Sequence, residues 1–166
     1  VRPPAYAQHR LVMAGKRWTH EVRAVCTALE LHSRVDERVE VSNKQLRALY
    51  SRAEALLFPS LAEGFGWPIA EAQACGCPVA TTGRAPMTEV GGDAAMYIDP
   101  DDPAGAAAVI ADGLTQRAAL VDAGLRNAQR FSTRAMVEGY VQCYATIADG
   151  VAKAPNSFVS ESGRDA

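Results

Sequence analysis

The chain has 166 residues, and its 17 basic and 19 acidic side chains give a formal net charge of −2. This length fits one domain, or one domain with an appendage. A chain of this size can form a hydrophobic core that is stable without a metal ion or a disulfide bond. The near-neutral balance argues against a nucleic-acid partner, because such proteins carry a clear basic excess. Apolar residues at 48% and charged residues at 22% predict an ordinary globular protein.

The four cysteines and three histidines have no spacing typical of a metal site. Cys75 and Cys77 are separated by one residue, whereas redox and zinc pairs are separated by two. We therefore expect reduced thiols, no bound metal and a cytoplasmic location. No apolar run approaches the ~20 residues needed to span a bilayer. The chain begins with Val1 where an initiator Met would be expected, which predicts a piece of a longer protein.

The first half of the chain alternates short apolar runs with amphipathic segments. Residues 9–15 read as a buried strand, residues 19–31 as a helix capped by Thr19, and residues 38–41 as a second strand. Ser42 and Gln45 have the spacing of a capping box, which predicts the start of the next helix. The apolar run 55–58 is typical of a central parallel strand covered on both faces.

The second half continues the alternation. Pro68 fits the first turn of a helix that ends near Cys75, with Gly76 as its stop. Strands are expected at 78–82 and 95–98, a helical turn at 86–90, and helices from Pro103, over 116–123 and over 134–151. Residues 153–166 have little to bury and predict a mobile tail.

This order predicts a doubly wound, Rossmann-like parallel α/β domain over residues 1–152. In such sheets, ligands bind beyond the carboxyl ends of the strands. The longest loop after a central strand is 59–67, so we expect the site there.

Two glycines and two glutamates give this loop its chemical character. Gly64 and Gly66 allow close backbone approach, and the start of the following helix suits a phosphate or sugar hydroxyls. Glu71, one turn into that helix, can accept two hydrogen bonds from a vicinal diol such as ribose. Glu63 can contact another polar part of the same ligand. The residues alone are explained equally well by an ordinary strand-to-helix loop whose two glutamates are exposed to solvent and bind no ligand.

The wider sequence resembles the signature of retaining GT-B glycosyltransferases of family 4, group 1. Glu63 and Glu71 are preceded by the string ALLFPS and followed by AQACGCPV. The later strings APMTEVGGD, IDPDDP and FS match further family landmarks in order and spacing. The resemblance covers about residues 10–150.

The resemblance implies the C-terminal, donor-binding half of a two-domain enzyme, incomplete at its N-terminus. Glu71 would hold the nucleotide ribose, and Glu63, the candidate catalytic residue, would hold donor-sugar hydroxyls. The other implied donor-binding residues are the backbone at Gly64, Phe65 and Gly66, Ser42 and Asn43 at the nucleobase, and Thr82 to Arg84 on the phosphate side.

The family supplies an Arg and a Lys to the diphosphate from a unit that would precede Val1, and its N-terminal acceptor domain would also lie there. Lys16 and Arg17 follow a later strand, and we interpret them as surface residues. Without those cations the charge on the leaving diphosphate is poorly stabilised. The resemblance therefore implies that this chain alone is nearly inactive.

For the whole enzyme, the resemblance implies transfer of a mannosyl or glucosyl unit, with retention, from a UDP, GDP or similar nucleotide sugar. The acceptor would be a saccharide or a lipid-linked saccharide, with no metal or other cofactor. We also expect location in the cytoplasm or at the inner face of the membrane, and dimerisation through an exposed C-terminal helix. Two alternatives stay open: a sugar-nucleotide epimerase or phosphorylase on this fold, and a non-catalytic nucleotide-binding module.

Overall fold

A computed structural model describes residues 9–152, with side chains described through residue 149. The chain divides into two compact units, Val1–Ala128 and Gln129–Ala166, and each is described by itself. The predicted tail at 153–166 lies outside the described residues, and the single domain predicted over 1–152 stays a prediction.

The described chain contains five strands and seven α-helices, which alternate as far as α5, and α6 and α7 follow without a strand between them. The strands are β1 (Leu11–Gly15), β2 (Val35–Val39), β3 (Leu56–Phe58), β4 (Val79–Thr82) and β5 (Ala95–Ile98). The helices are α1 (His20–Ala28), α2 (Asn43–Arg52), α3 (Trp67–Ala74), α4 (Met87–Gly91), α5 (Pro103–Thr115), α6 (Arg117–Ala128) and α7 (Thr133–Ala152). Two short 3₁₀ turns lie at Gly92–Ala94 and Gln129–Phe131.

All strand pairs are parallel, which confirms the predicted α/β class. Strand β1 pairs with β2, with Leu11 opposite Val35, and β3, β4 and β5 form a second sheet in chain order. Within residues 9–152, no hydrogen-bonded strand pair joins β1 to β3. The described strands therefore form two sheets, whereas the sequence predicted one.

The expectation of a buried first strand is wrong. Every residue of β1 is exposed, including Leu11 at 43% and Met13 at 38%. The physical reason is that, among residues 9–152, β1 pairs with β2 alone and its other edge carries no strand. The second strand also begins earlier than expected, at Val35, because the register with β1 extends through the charged residues 36–38.

The expectation that 55–58 is covered on both faces is also wrong. Strand β3 lies at the edge of its sheet, and Leu57 is 45% exposed. The central position belongs to β4, whose four residues are all buried. Its Ala80 packs with Met96 and Ile98 of β5 in the core of the first unit.

The helix signals in the sequence are largely confirmed. Thr19 caps α1, and Ser42 and Gln45 form the reciprocal capping box of α2. Helix α3 ends at Ala74 with Cys75 as its C-cap, and Gly76 follows with a φ of +71°, a conformation that glycine adopts at low cost.

A pair of side-chain amides, buried Gln73 and half-buried Asn127, joins α3 to α4 and α6. Gln73 is fully buried, and its side-chain nitrogen donates to the carbonyl oxygens of Gly91 at 3.1 Å and Ala94 at 3.3 Å. Asn127 on α6 donates to the Gln73 side-chain oxygen and to the Val90 carbonyl, both at 2.7 Å. These bonds fix the rotation of the helix that carries Glu71.

The second unit consists, in the part that is described, of one 3₁₀ turn and helix α7. An apolar face of α7 is about half exposed or more; it comprises Met136, Val137, Tyr140, Val141, Tyr144 and Ile147. The predicted dimerisation through this helix stays a prediction. No described helix is both long and apolar enough to cross a bilayer.

Candidate functional site

The loop between β3 and α3 ends in a left-handed glycine that opens the helix. Gly66 has a φ of +97° and ψ of 41° and is the N-cap of α3, where no side chain caps the helix. Pro68 in the first turn has no N–H, and the Ile69 N–H bonds to the Gly66 carbonyl at 3.0 Å. The Trp67 N–H therefore lies at the positive end of α3 with no capping side chain, as anion recognition requires.

Two threonines at the end of β4 hold this loop from below. Thr81 donates its hydroxyl to the Phe58 carbonyl at 2.9 Å, and Thr82 donates to the Ser60 carbonyl at 2.6 Å. Thr82 is only 1% exposed, so it lies beneath the loop rather than on its surface. This contact makes Thr82 a support for the loop, while its direct contact with a ligand stays a prediction.

Glu63 is exposed and is oriented by a neighbour in the loop. The Ser60 hydroxyl donates to the Glu63 carboxylate at 2.8 Å. Within residues 9–152, no ion pair involves this carboxylate. One carboxylate oxygen accepts the serine hydrogen bond, and the remaining acceptor capacity faces solvent.

Glu71 is exposed on α3 and lies near the end of α2. Its charge contributes to the pKa of Tyr50, a buried residue of α2. Burial is the main cause that raises the Tyr50 pKa to about 12, and the negative charge of Glu71 is the second. Because Glu71 forms no ion pair in the part of the chain that is described, its carboxylate can accept hydrogen bonds from a ligand.

The rest of the loop combines an open backbone with an aromatic pair. A Cβ at Gly64 would meet no atom within 4 Å, so the backbone is open to solvent there. The rings of Phe65 and Trp67 lie 4.6 Å apart at a tilt of 42°, and Trp67 is 56% exposed. These rings border the start of α3, where they can shield a ligand from water on one side.

Ser42 and Asn43 lie in a different place, at the start of α2 after the sheet of β1 and β2. The Ser42 hydroxyl accepts from the Gln45 N–H at 3.4 Å and donates to the Gln45 side-chain oxygen at 2.7 Å. This capping role already occupies Ser42, whereas Asn43 is exposed. A contact of either residue with a nucleobase stays a prediction.

The carboxyl ends of β1 and β2 also form an open cleft of about 460 Å³. It is lined by Gly15, Lys16, Arg17, Val39 and Glu40. The two basic residues interpreted as surface positions are exposed, as expected, and they line this cleft. Across residues 9–152, no three His, Cys, Asp or Glu side chains are grouped so that they could hold a metal ion.

The structure thus brings Glu63, Gly64, Phe65 and Gly66 together above Thr82, with Glu71 further along the helix that Gly66 begins. Sequence reasoning missed Ser60 and Thr81. A signal for Thr81 was present, since a polar residue inside a buried strand needs a hydrogen-bond partner.

The chain matches known glycosyltransferases in sequence. Residues 1–116 match the family model described as glycosyl transferases group 1. An O-antigen chain mannosyltransferase of Salmonella typhimurium is 45% identical over 93 residues, which is 55% of this chain and 26% of the relative. A D-inositol 3-phosphate glycosyltransferase of Mycolicibacterium smegmatis is 33% identical over 127 residues, or 74% of this chain and 29% of the relative.

A solved structure shares the fold. A sucrose-phosphate synthase from Thermosynechococcus elongatus superposes with a TM-score of 0.70 at 22% identity, covering 84% of this chain and 38% of that one. The chain therefore matches between a quarter and two fifths of the length of these proteins.

Proposed function

Because the chain belongs to the glycosyl transferases group 1 family, we propose that it forms the donor-binding half of an enzyme that transfers a sugar from a nucleotide sugar to a saccharide or lipid-linked acceptor. The observation that carries this proposal is the uncapped start of α3, flanked by two exposed glutamates without ion pairs among the described residues. A helix start attracts phosphate, and carboxylates accept hydrogen bonds from sugar hydroxyls.

The two carboxylates have different proposed tasks. Glu71 accepts the ribose hydroxyls of the nucleotide, and Glu63 accepts hydroxyls of the donor sugar. The N–H groups of Gly64 and its neighbours face the diphosphate, and the exposed Arg84 after β4 adds a positive charge on the phosphate side. In this scheme Thr82 acts through the loop that it supports, and Asn43 is the exposed candidate at the nucleobase.

The reaction we propose retains the anomeric configuration and transfers a mannosyl or glucosyl unit. Glu63 positions the sugar, and catalysis comes from orientation and from stabilising the charge on the leaving diphosphate. The departing phosphate accepts the proton of the acceptor hydroxyl, so the C–O bond to phosphate breaks on the face where the new glycosidic bond forms. No metal or other cofactor enters this scheme.

The 166-residue chain alone is expected to bind donors but to be nearly inactive. The proposed cytoplasmic location, in solution or at the inner face of the membrane, is supported by four free cysteines.

Calorimetry with UDP, GDP and their sugars tests the donor site. Glu71→Gln should weaken nucleoside diphosphate binding about 10- to 100-fold, since it removes hydrogen bonds to a charged acceptor. Glu63→Gln should weaken binding of the nucleotide sugar while leaving the nucleoside diphosphate unchanged. Glu138→Gln, an exposed carboxylate on α7, is the matched control and should bind like the parent chain. Unchanged affinity in Glu71→Gln would remove that residue from the site.

A further inference from the structure

The buried side of α3 combines small apolar side chains with one amide. The buried residues of this helix are Ile69, Ala70, Ala72 and Gln73. Hydrophobic packing has no preferred direction, so the apolar side chains restrict rotation of the helix about its axis less sharply than hydrogen bonds do. Hydrogen bonds weaken steeply when their angle departs from the ideal one. The amide of Gln73 is therefore the group that defines the rotation of α3 most closely.

The N–H donors of both side-chain amides are in use, since an amide has two. Gln73 donates to the carbonyl oxygens of Gly91 and Ala94. Asn127 donates to the Gln73 side-chain oxygen and to the Val90 carbonyl. Val90 and Gly91 are the last residues of α4, where carbonyls have no N–H of their own helix to accept from. The loss of Asn127 therefore leaves both the Gln73 oxygen and the end of α4 short of a partner.

The backbone of α6 lies directly against the same side chain. Gly124 is buried, and a Cβ built on it would lie 3.2 Å from the Gln73 Cγ atom and 3.4 Å from its Cβ atom. Asn127 follows Gly124 by three residues, so both lie on one side of α6. Gln73 is thus enclosed by the α6 backbone along its stem and bonded to Asn127 at its tip.

Glu71 lies on the opposite side of α3 from this contact. Successive residues of an α-helix are about 100° apart, so Glu71 and Gln73 are separated by about 200° around the axis. Gln73 is fully buried and Glu71 is exposed, as this angle requires. A rotation of α3 at the buried amide therefore moves the Glu71 carboxylate, which lies further from the axis than any backbone atom.

We propose that Asn127 is a positioning residue for the ribose of the nucleotide: through the Gln73 amide it holds α3 in the rotation that directs the Glu71 carboxylate to both ribose hydroxyls. This inference rests on the proposed function, in which Glu71 accepts those hydroxyls. Two hydrogen bonds to one carboxylate depend on its orientation, and therefore on the rotation of the helix. The free N–H groups at the start of α3 point along its axis, so the same rotation changes their direction little. Loss of Asn127 should therefore weaken binding of the ribose and not of the diphosphate.

Calorimetry on the 166-residue chain tests this separation. The probes are GDP and UDP, each with its dideoxyribose analogue, which lacks both ribose hydroxyls. The ribose preference is the ratio of the two dissociation constants, measured for the base that binds more tightly. It should be about 10-fold or more in the parent chain and be largely lost in Glu71→Gln, since hydrogen bonds to a charged acceptor are strong. Asn127→Ala should lower it about 3-fold or more, as is typical of residues in one network, and leave the affinity for the analogue unchanged.

Tyr97→Phe is the matched control for lost stability. It removes the hydroxyl that donates to the Gly92 carbonyl at 2.6 Å, next to the carbonyls that Gln73 and Asn127 contact, and it changes no bond of α3. This variant should lower the urea midpoint and keep the ribose preference of the parent. An equal fall of the ribose preference in Tyr97→Phe and Asn127→Ala would show that destabilisation alone explains the effect.

Gly124→Ala provides a second variant in case Asn127→Ala does not fold. It keeps every hydrogen-bonding group and moves α6 away from Gln73, because the added Cβ is too close to the Gln73 Cγ atom. It should also lower the ribose preference, and an unchanged preference would contradict the proposal. Asn127→Ala combined with Glu71→Gln should lower the preference no further than Glu71→Gln alone, since Asn127 acts through that carboxylate.

The outcomes distinguish this inference from the function on which it rests. If Glu71→Gln lowers the ribose preference and a folded Asn127→Ala does not, the positioning role is wrong and the donor site stands. If Glu71→Gln leaves the ribose preference unchanged, the assignment of Glu71 to the ribose fails and the positioning role fails with it. An undiminished effect of Asn127→Ala in the Glu71→Gln background would make Asn127 a structural residue only.

Discussion

Replacing Gly66 by alanine tests the backbone geometry at the start of α3. At a φ of +97°, a residue with a Cβ is strained, and the usual cost in the left-handed region is about 1–2 kcal/mol. A Cβ at this position would lie 3.5 Å from the Ile69 Cδ1 atom, which is ordinary van der Waals contact. The loss in unfolding free energy should therefore be the conformational cost alone, about 1–2 kcal/mol.

Urea unfolding measures this loss, and Gly64→Ala in the same loop is the control. Gly64 has no positive φ, and nothing lies within 4 Å of an added Cβ, so this variant should stay within about 0.5 kcal/mol of the parent. With an m-value of about 2 kcal/mol per molar, Gly66→Ala should lower the midpoint by about 0.5–1 M. Equal midpoints for the two variants would refute the left-handed assignment, and a loss above ~4 kcal/mol would mean that the Cβ has no room.

Further expectations concern the core and the thiols. Gln73→Leu should cost about 2–4 kcal/mol of unfolding free energy, because it removes the buried amide that donates to the Gly91 and Ala94 carbonyls and accepts from Asn127, which keeps only its other bonds; a urea midpoint close to that of the parent would contradict this. Burial raises the pKa of Tyr50 in the folded chain to about 12, above the ~10 of an unfolded tyrosine. The free energy of unfolding is therefore unaffected by this group below pH ~10 and falls as the pH rises towards 12. Tyr50→Phe should flatten the fall of the urea midpoint above pH 10, leaving the fall due to the Cys77 thiol, whose pKa burial raises to about 11, and to Tyr97, whose pKa burial also raises; an unchanged slope would contradict the burial of Tyr50. A thiol reagent at pH 8 should modify the exposed Cys143 first and the buried Cys77 last, and the reverse order would contradict the burial pattern.

Local signals in the sequence predicted the local structure well. The capping box at Ser42, the stop at Gly76 and Pro68 in the first turn of α3 each depend on interactions within a few residues, which a sequence displays directly. The loop after β3 could be predicted for the same reason, since Pro59 ends the strand and the glycines follow.

Long-range properties were predicted less well. An apolar strand such as β1 has the same sequence whether it lies inside a sheet or at its edge, so its exposure was not visible in residues 9–15. The start of β2 at Val35 was missed because charged residues lowered its strand signal, although an outer strand tolerates them. The Gln73 to Asn127 bond joins residues 54 positions apart, and only the fold brings them together.

Ser60 links an exposed part of the candidate site to a buried one. Its carbonyl oxygen is anchored to the central strand through Thr82, and its hydroxyl holds the Glu63 carboxylate. Two successive hydrogen bonds thus connect an exposed acidic group to the fully buried strand β4. A substitution that shifts this loop must therefore break its hydrogen bond to β4, whereas a substitution beside Glu63 can change the surroundings of the carboxylate and leave that bond in place.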